Sequence, residues 1–356
     1  MGNSSIEHAT SEHGTRPIRS RAERAPESPS GAAVHCGDRI ASYRHDGAQV
    51  TRPVPNLFVI GAMKSGTTYL AAQLSGHPQI FICAPEEPSY FVDPEVLREI
   101  WPHMWKREFW RSEDSYLRLF EHAGGAAVIG EASTNYTKLP QIAGVVDRIK
   151  RFNPEARFVY LMRDPVDRAI THYWHMVRHH SEHRSLDVAI EQDLQYRDVS
   201  YYAMQLRPYL EAFGRDRVHL LTHETLTARP REVLRELYAW LGVDPSFVPP
   251  AADRPVNVTP RVIMRPKGWG VLQRFRKSDA WARIADLVPA SVRSVAAGLA
   301  EAPVDRTTVS TARATEFLRP IQRRQTEELM QLVGREFPEW KTLWGTGREG
   351  RVRNAS

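Results

Sequence analysis

The chain has 356 residues, and its 48 Lys and Arg against 42 Asp and Glu give a formal charge of +6. This length is enough for one large or two ordinary domains with a buried core. No apolar run approaches the roughly 18 residues of a membrane-spanning helix, so the sequence predicts no transmembrane segment. Residues 1–20 lack the apolar core of a secretory signal, and two cysteines are too few for a disulfide framework. We therefore expect a cytoplasmic protein.

Residues 1–53 are rich in Ser, Gly, Pro, Arg and Glu and have no hydrophobic period, which predicts a disordered tail. One ordered domain is predicted over 54–345, followed by a C-terminal tail over 346–356.

Four short apolar runs in this domain are typical of buried strands. Helical patterns separate them. Strands that alternate with helices predict an α/β fold of three layers, with a central parallel sheet flanked by helices. Ligands in such folds bind at the carboxyl ends of the strands. The runs lie at 57–61, 126–130, 157–162 and 217–222.

The loop after the first strand reads GAMKSGTT (61–68). It fits the phosphate-binding pattern GxxxxGK[ST] except that Thr67 stands at the lysine position and Lys64 lies inside the loop. Backbone N–H groups and a helix N-terminus still favour an anion there. The pattern predicts a P-loop-like phosphate site, and a tight turn with a solvated lysine is the alternative.

A second anion site is predicted after the strand at 157–162, where Arg163 follows at the carboxyl end. Asp164 and Pro165 are typical of a helix start, and Thr171 lies about two turns into that helix. A forked guanidinium with a hydroxyl suits a phosphate monoester. A surface ion pair at a helix start is the alternative.

The stretch PNLFVIGAMKSGTTYLAAQLSGHPQI resembles the 5′-phosphosulfate loop of sulfotransferases that use 3′-phosphoadenosine-5′-phosphosulfate (PAPS). The resemblance implies PAPS as co-substrate without a metal. It implies that Lys64 contacts the sulfate and the departing phosphate oxygen. It also implies that the phosphate is cradled by Ser65, Gly66, Thr67 and Thr68. Arg163 and Thr171 match the arginine and the serine of the family's 3′-phosphate site.

Sulfuryl transfer is an in-line displacement, so the acceptor hydroxyl or amine should lose its proton as sulfur is attacked. The spacing of EPSYF (87–91) is similar to that of heparan-sulfate-type sulfotransferases, in which this glutamate is the proposed general base. The resemblance implies Glu87 as the base, with Glu86 as second choice. An exposed acidic turn is the alternative interpretation.

Two features limit what the resemblance implies. Ala132 follows Glu131 where the heparan enzymes have lysine, which weakens the case for a heparan-like acceptor. His175 and His179 are four residues apart on a predicted helix, as metal ligands are, but no carboxylate or cysteine completes a site, so we predict no metal.

The segment 261–298 is basic and contains tryptophans. Arg265, Lys267 and Gly268 lie about where the family has a basic glycine loop near the 3′-phosphate. A substrate lid, a membrane-surface contact, a partner contact and ordinary packing all remain open for this segment.

The leading hypothesis is a PAPS-dependent sulfotransferase that acts on a hydroxyl or amine of a carbohydrate, or of a glycosylated or lipidic metabolite. The predicted partner is a small molecule or glycan and not a nucleic acid. A small-molecule kinase that uses ATP is the alternative, disfavoured by Thr67 and by the lack of a magnesium-binding aspartate at a strand end. A non-catalytic anion- or glycan-binding protein is a third.

Overall fold

The structure, a computed structural model, describes residues 40–45, 48–179, 181–250, 260–266 and 301–345. Nine strands lie in these ranges. They are β1 (Ile40–His45), β2 (Ala48–Pro53), β3 (Leu57–Gly61), β4 (Ile80–Ile82), β5 (Val128–Ala132), β6 (Arg157–Met162), β7 (Val218–Thr222), β8 (Val262–Pro266) and β9 (Glu301–Asp305).

Thirteen α-helices lie in the same described ranges. They are α1 (Thr67–Ser75), α2 (Pro94–Ile100), α3 (Pro102–Trp105), α4 (Glu113–Leu117), α5 (Val145–Phe152), α6 (Pro165–Arg178), α7 (Leu186–Gln192), α8 (Gln195–Asp198), α9 (Tyr202–Phe213), α10 (His223–Ala228), α11 (Pro230–Leu241), α12 (Ala312–Val333) and α13 (Lys341–Trp344). A 3-10 turn at Thr134–Thr137 follows β5.

The centre of the fold is a five-stranded sheet in the order β4-β5-β3-β6-β7. All four strand pairs are parallel. β3 is the middle strand and is buried along its whole length, as its uninterrupted apolar sequence LFVIG predicts. The loop that follows β3 therefore begins at the centre of the sheet.

Alternate side chains of β3 build two separate cores because neighbouring residues in a strand point to opposite faces. Leu57 and Val59 pack with apolar side chains of α1 and α11. Phe58 and Ile60 lie in the core on the other face, with residues of α5, α6 and α9. Helices cover both faces, which confirms the predicted three-layer α/β fold.

Some elements differ from the sequence prediction. β5 begins at Val128 and not at residue 126, and the three-residue strand β4 was not predicted because it is too short to display a period. No regular structure was predicted before residue 54, whereas β1 and β2 pair as an antiparallel hairpin there. The rest of that predicted tail lies outside the described residues.

β8 and β9 form a second antiparallel hairpin. The expectations for Lys267, Gly268 and most of the segment 261–298, and the predicted tail over 346–356, lie outside the described residues. Within the ranges that are described, no helix combines the length and the apolar character needed to cross a membrane.

The end of β3 leaves no room for a side chain at Gly61. Its φ is +146°, and an added Cβ would lie 2.2 Å from Thr137 Oγ1. That hydroxyl donates a 2.6 Å hydrogen bond to the Ile60 carbonyl, so it is held in place. Glycine is required here by both conformation and space.

We expect Gly61→Ala to lower the free energy of unfolding by about 2 kcal/mol or more, because the methyl group forces Thr137 and the loop apart. Urea unfolding measures the loss. Gly125→Ala is the control, since an added Cβ there meets no atom within 4 Å. Equal stability of the two variants would contradict this account of Gly61.

Candidate active site

Loops that follow four of the five parallel strands meet at the carboxyl edge of the sheet. Arg163, after β6, donates from Nη1 to the Lys64 carbonyl at 3.4 Å, and the His223 ring, after β7, lies 3.0 Å from the Ser65 carbonyl. The Glu87 amide, after β4, donates to the Ala132 carbonyl at the end of β5 at 2.9 Å. The segments in which the sequence predicts site residues therefore adjoin one another.

The loop at 61–68 has the geometry of an anion cradle. Gly66 has a φ of +103° and stands at the N-cap of α1, and no acidic residue lies in that helix's first turn. The Ser65 Oγ is buried and finds no hydrogen-bond partner among the described residues. Free amides at a helix start together with an unpartnered hydroxyl favour a bound oxyanion.

Lys64 extends from this loop into a strongly cationic neighbourhood. Burial, with Arg178 and Arg163 nearby, lowers the pKa of its ammonium. Its Nζ lies 3.4 Å from Nδ1 of His175 on α6. Burial and Lys64 lower the pKa of His175 to about 3, so this ring is neutral and accepts the lysine's hydrogen bond.

From sequence, the spacing of His175 and His179 on one helix is that of metal ligands. The His175 ring is 4.4 Å from that of His179. In the described part of the chain no group of three or more His, Cys, Asp or Glu is arranged to hold a metal ion. The contact with Lys64 could not be found from sequence because 111 positions separate the two residues.

Arg163 is fixed through its own backbone. Its carbonyl accepts a 2.7 Å hydrogen bond from the Tyr202 hydroxyl. The next residue, Asp164, caps α6 and also accepts a 2.9 Å hydrogen bond from the Leu343 amide of α13. The Arg163 Nε is buried without a hydrogen-bond partner among the described residues, so this guanidinium keeps a donor for a ligand.

Thr171 lies half-buried on α6, and its hydroxyl donates to the Asp167 carbonyl of its own helix at 2.7 Å. No described hydrogen bond joins it to Arg163 or to the phosphate loop, so its place at a phosphate stays a prediction.

Arg168, on the same helix, is fully buried and braces the loop. It donates to the carbonyls of Tyr196 and Met63 at 2.6 and 3.5 Å. Arg168 therefore supports the loop and the helix structurally.

The two neighbouring glutamates have separate partners. Glu87 accepts hydrogen bonds at its carboxylate from the Thr134 amide at 3.0 and 3.1 Å and from the Thr134 hydroxyl at 2.7 Å. Glu86 instead accepts one from Thr68 of the phosphate loop at 3.0 Å, and burial raises its pKa. The half-buried Glu87 carboxylate is therefore held in one orientation beside the end of β5.

The backbone at Glu87 and just after it is in an uncommon conformation. Glu87 and Ser89 have φ values of +59° and +55°, which few residues other than glycine adopt. Arg107 stabilises the turn by donating from Nη1 to the carbonyls of Glu86 and Glu87 at 2.8 and 3.3 Å. Such strain is often found where a side chain must be presented to a ligand.

A third carboxylate, that of Glu131, is linked to this turn. Glu131 is fully buried and accepts hydrogen bonds from the hydroxyls of Tyr116, Tyr136 and Ser133 at 2.5, 2.9 and 2.7 Å. Burial raises its pKa to about 7. Ser133 also accepts from the Ser89 amide at 3.2 Å, which links the buried network to the turn that carries Glu87.

The chain is similar to known sulfotransferases in sequence and in fold. The model of a family described as the sulfotransferase family matches residues 55–247. A solved structure, a sulfotransferase from Alicyclobacillus acidocaldarius, superposes with a TM-score of 0.59 at 26% identity, over 81% of this chain and 98% of that one.

Curated relatives match over shorter stretches. A membrane-associated sulfotransferase, kil1, of Dictyostelium discoideum is 32% identical over 34% of this chain and 22% of its own length. A bifunctional heparan sulfate N-deacetylase/N-sulfotransferase 3 of Mus musculus is 25% identical over 54% of this chain and 23% of its own. The chain thus spans about a quarter of the length of these relatives.

The raised pKa of Glu131 gives the protein a specific pH dependence. The folded chain keeps a proton on Glu131 that the unfolded chain releases, so stability falls as the pH rises from 4.5 to about 7. We expect the unfolding free energy of wild type, relative to Glu131→Gln, to fall by on the order of 3 kcal/mol across this window.

Urea unfolding of both proteins at pH 4.5 and 8 measures this difference. The exposed Glu99→Gln variant is the control, and its difference from wild type should stay constant. A pH-independent difference for Glu131→Gln would rule out titration of this carboxyl near neutrality.

Proposed function

Since the chain belongs to the sulfotransferase family and is an enzyme that transfers sulfo groups, we propose that its donor is PAPS and its acceptor a hydroxyl or amine. The observation that carries this proposal is the pair of unpartnered buried donors at the carboxyl edge, Ser65 Oγ and Arg163 Nε. The Ser65 hydroxyl lies beside the amides at the start of α1, and Arg163 Nε is part of a guanidinium. Both kinds of group bind anions. A donor with two phosphate groups, one of them sulfated, fits two such anion sites.

In this proposal Lys64 acts on the leaving group. The acceptor oxygen or nitrogen forms a bond to sulfur while the bond between sulfur and the bridging phosphate oxygen breaks. The electron pair of that bond stays on the phosphate, and the Lys64 ammonium with the loop amides stabilises the added charge. The hydrogen bond from Lys64 to neutral His175 directs the ammonium without competing for the anion.

Glu87 takes the acceptor's proton. Its carboxylate is held by Thr134, so one orientation is available when the acceptor arrives. Glu86 is less suited to this role because Thr68 holds its carboxylate against the phosphate loop, where the donor is proposed to bind.

The 3′-phosphate is assigned to Arg163 and Thr171. Arg163 contributes its forked guanidinium. Thr171 joins by turning its hydroxyl from the Asp167 carbonyl to a phosphate oxygen. This change requires rotation about only one side-chain bond.

A carbohydrate is the acceptor class that we propose. The relatives include two kinds of heparan sulfate enzyme, the second being the heparan sulfate glucosamine 3-O-sulfotransferase 3B1 of Mus musculus, 22% identical over 63% of this chain and 53% of its own length. Ala132 differs from the lysine expected in heparan enzymes, so we propose a sugar other than heparan itself. We propose the cytoplasm as the location, because the chain has only two cysteines.

Nucleotide binding distinguishes a PAPS-dependent sulfotransferase from an ATP-dependent kinase. We expect calorimetric titration to detect adenosine 3′,5′-bisphosphate binding and little or no binding of ATP with Mg²⁺, because Thr67 replaces the lysine that reaches the outer phosphates. Tight ATP binding without bisphosphate binding would overturn the proposal.

Removing the two reacting side chains tests the mechanism. We expect Lys64→Ala and Glu87→Gln each to lower the rate of transfer from labelled PAPS by about 100-fold or more, since one loses charge stabilisation and the other the proton acceptor. Mass spectrometry of sulfated oligosaccharides after incubation of a cell extract with labelled donor provides the readout. Exposed Lys341→Gln and Glu99→Gln are the charge-matched controls. Transfer at wild-type rate by Glu87→Gln would remove Glu87 as the base.

Arg163 is tested on donor binding alone. We expect Arg163→Ala to weaken adenosine 3′,5′-bisphosphate binding about 10-fold to 100-fold, through loss of a charge-assisted contact to phosphate. Calorimetric titration measures the effect, with the exposed Arg151→Ala as control. An unchanged dissociation constant would place the 3′-phosphate elsewhere.

A further inference from the structure

Lys138 is a buried cation with few partners. It follows the 3-10 turn Thr134–Thr137 and is 6% exposed. Its Nζ donates to Asn135 Oδ1 at 2.6 Å and lies 4.1 Å from the centroid of the Trp101 ring. In the part of the chain that the structure describes, no carboxylate forms an ion pair with it.

The surroundings of Lys138 are those of the candidate active site. Glu87 and Arg168 are the charged groups that act on its ammonium, and Lys138 in turn acts on the rings of His172 and His175. Burial lowers its pKa to about 8, which leaves it mostly charged at neutral pH. The one anion among these neighbours, Glu87, already accepts hydrogen bonds from Thr134 at both oxygens.

A buried ammonium is costly unless an anion or several acceptors surround it. Lys138 has three N–H donors, and the described residues accept from it at Asn135 only. Asn135 is itself held, because its Nδ2 donates to Ser89 Oγ at 2.9 Å. The ammonium is thus positioned by Asn135 and Trp101, with donors left for a ligand.

We propose that Lys138 binds an oxyanion beside Glu87, as a binding residue distinct from the phosphate loop and from Arg163. This inference rests on the proposed function. Two parts of the reactants carry suitable oxygens. One is the sulfuryl group of the donor, and the other is a carboxylate or sulfate on the acceptor. Either anion would form an ion pair with the buried Lys138 ammonium.

The test compares wild type with Lys138→Gln and Lys138→Met. The glutamine keeps a hydrogen-bond donor for Asn135, and the methionine keeps the length of the side chain, so a folding defect of one does not end the test. The exposed Lys341→Gln is the control. Adenosine 3′,5′-bisphosphate lacks the sulfuryl group, so unchanged binding of it reports an intact donor site.

Two titrations distinguish the sources of the oxyanion. The first compares PAPS with adenosine 3′,5′-bisphosphate. The second, with bisphosphate bound, compares a glucuronate–N-acetylglucosamine disaccharide with neutral N,N′-diacetylchitobiose. We expect the variants to lose about 10-fold to 100-fold in affinity for PAPS alone if the oxyanion is the sulfuryl group, or for the carboxylate-bearing disaccharide alone if it belongs to the acceptor.

A variant that binds all four probes as wild type does would overturn the oxyanion site and leave the proposed function intact. Failure of wild type to bind the bisphosphate would instead overturn the proposed function itself. A loss of affinity for the bisphosphate equal to that for PAPS would also overturn the inference, since Lys138 would then act on the nucleotide and not on an oxyanion beside Glu87.

Discussion

Positive charge that no described ion pair neutralises is the constraint on which the candidate active site depends. Lys64 lies near Arg163 and Arg178, and their mutual repulsion adds to the cost of burying the lysine. A protein tolerates such a cluster only when its members are held by uncharged groups or by a ligand. Neutral His175 and the backbone carbonyls around the phosphate loop provide the first kind of support, and an anionic donor provides the second.

This constraint explains why the supporting residues are polar but mostly uncharged. Arg168 is buried, and its described partners are carbonyls, a hydroxyl and a histidine ring. Burial, and to a lesser extent the positive charge of Arg168, keeps the pKa of His172 well below its usual value. This ring therefore adds no further charge. A carboxylate paired with these cations would neutralise them and compete with the donor. The glutamates at this edge are instead bound to hydroxyl or amide groups, Glu86 to Thr68, Glu87 to Thr134, Glu131 to two tyrosines and a serine, and Glu224 to the Asp164 amide.

The sequence predicts the part of the site that lies in continuous stretches. The strand at 57–61, its loop and the helix start at Asp164 are local patterns, so the positions of Lys64 and Arg163 follow from them together with the parallel sheet. The partners of Lys64, Glu87 and Lys138 do not follow. His175 is 111 positions from Lys64, and Thr134 is 47 from Glu87, so these contacts depend on how loops from different strands pack. Strand β4 was missed for a different reason, since its three residues carry too little periodicity to be recognised, and β1 and β2 were missed because neither contains a continuous apolar run.

The hydrogen bond between Asp164 and the Leu343 amide joins residues 179 positions apart. Asp164 directly follows Arg163, and α13 is held in turn by Arg319 and Arg323 of α12, which donate to carbonyls of residues 342–344. During synthesis the sheet and its phosphate loop can form early, because a chain emerges from its N-terminal side first. The backbone beside Arg163 gains this support only after α13 has left the ribosome. A nascent chain that stalls before residue 341 would therefore contain the complete sheet while lacking one of the contacts that fix its second anion site.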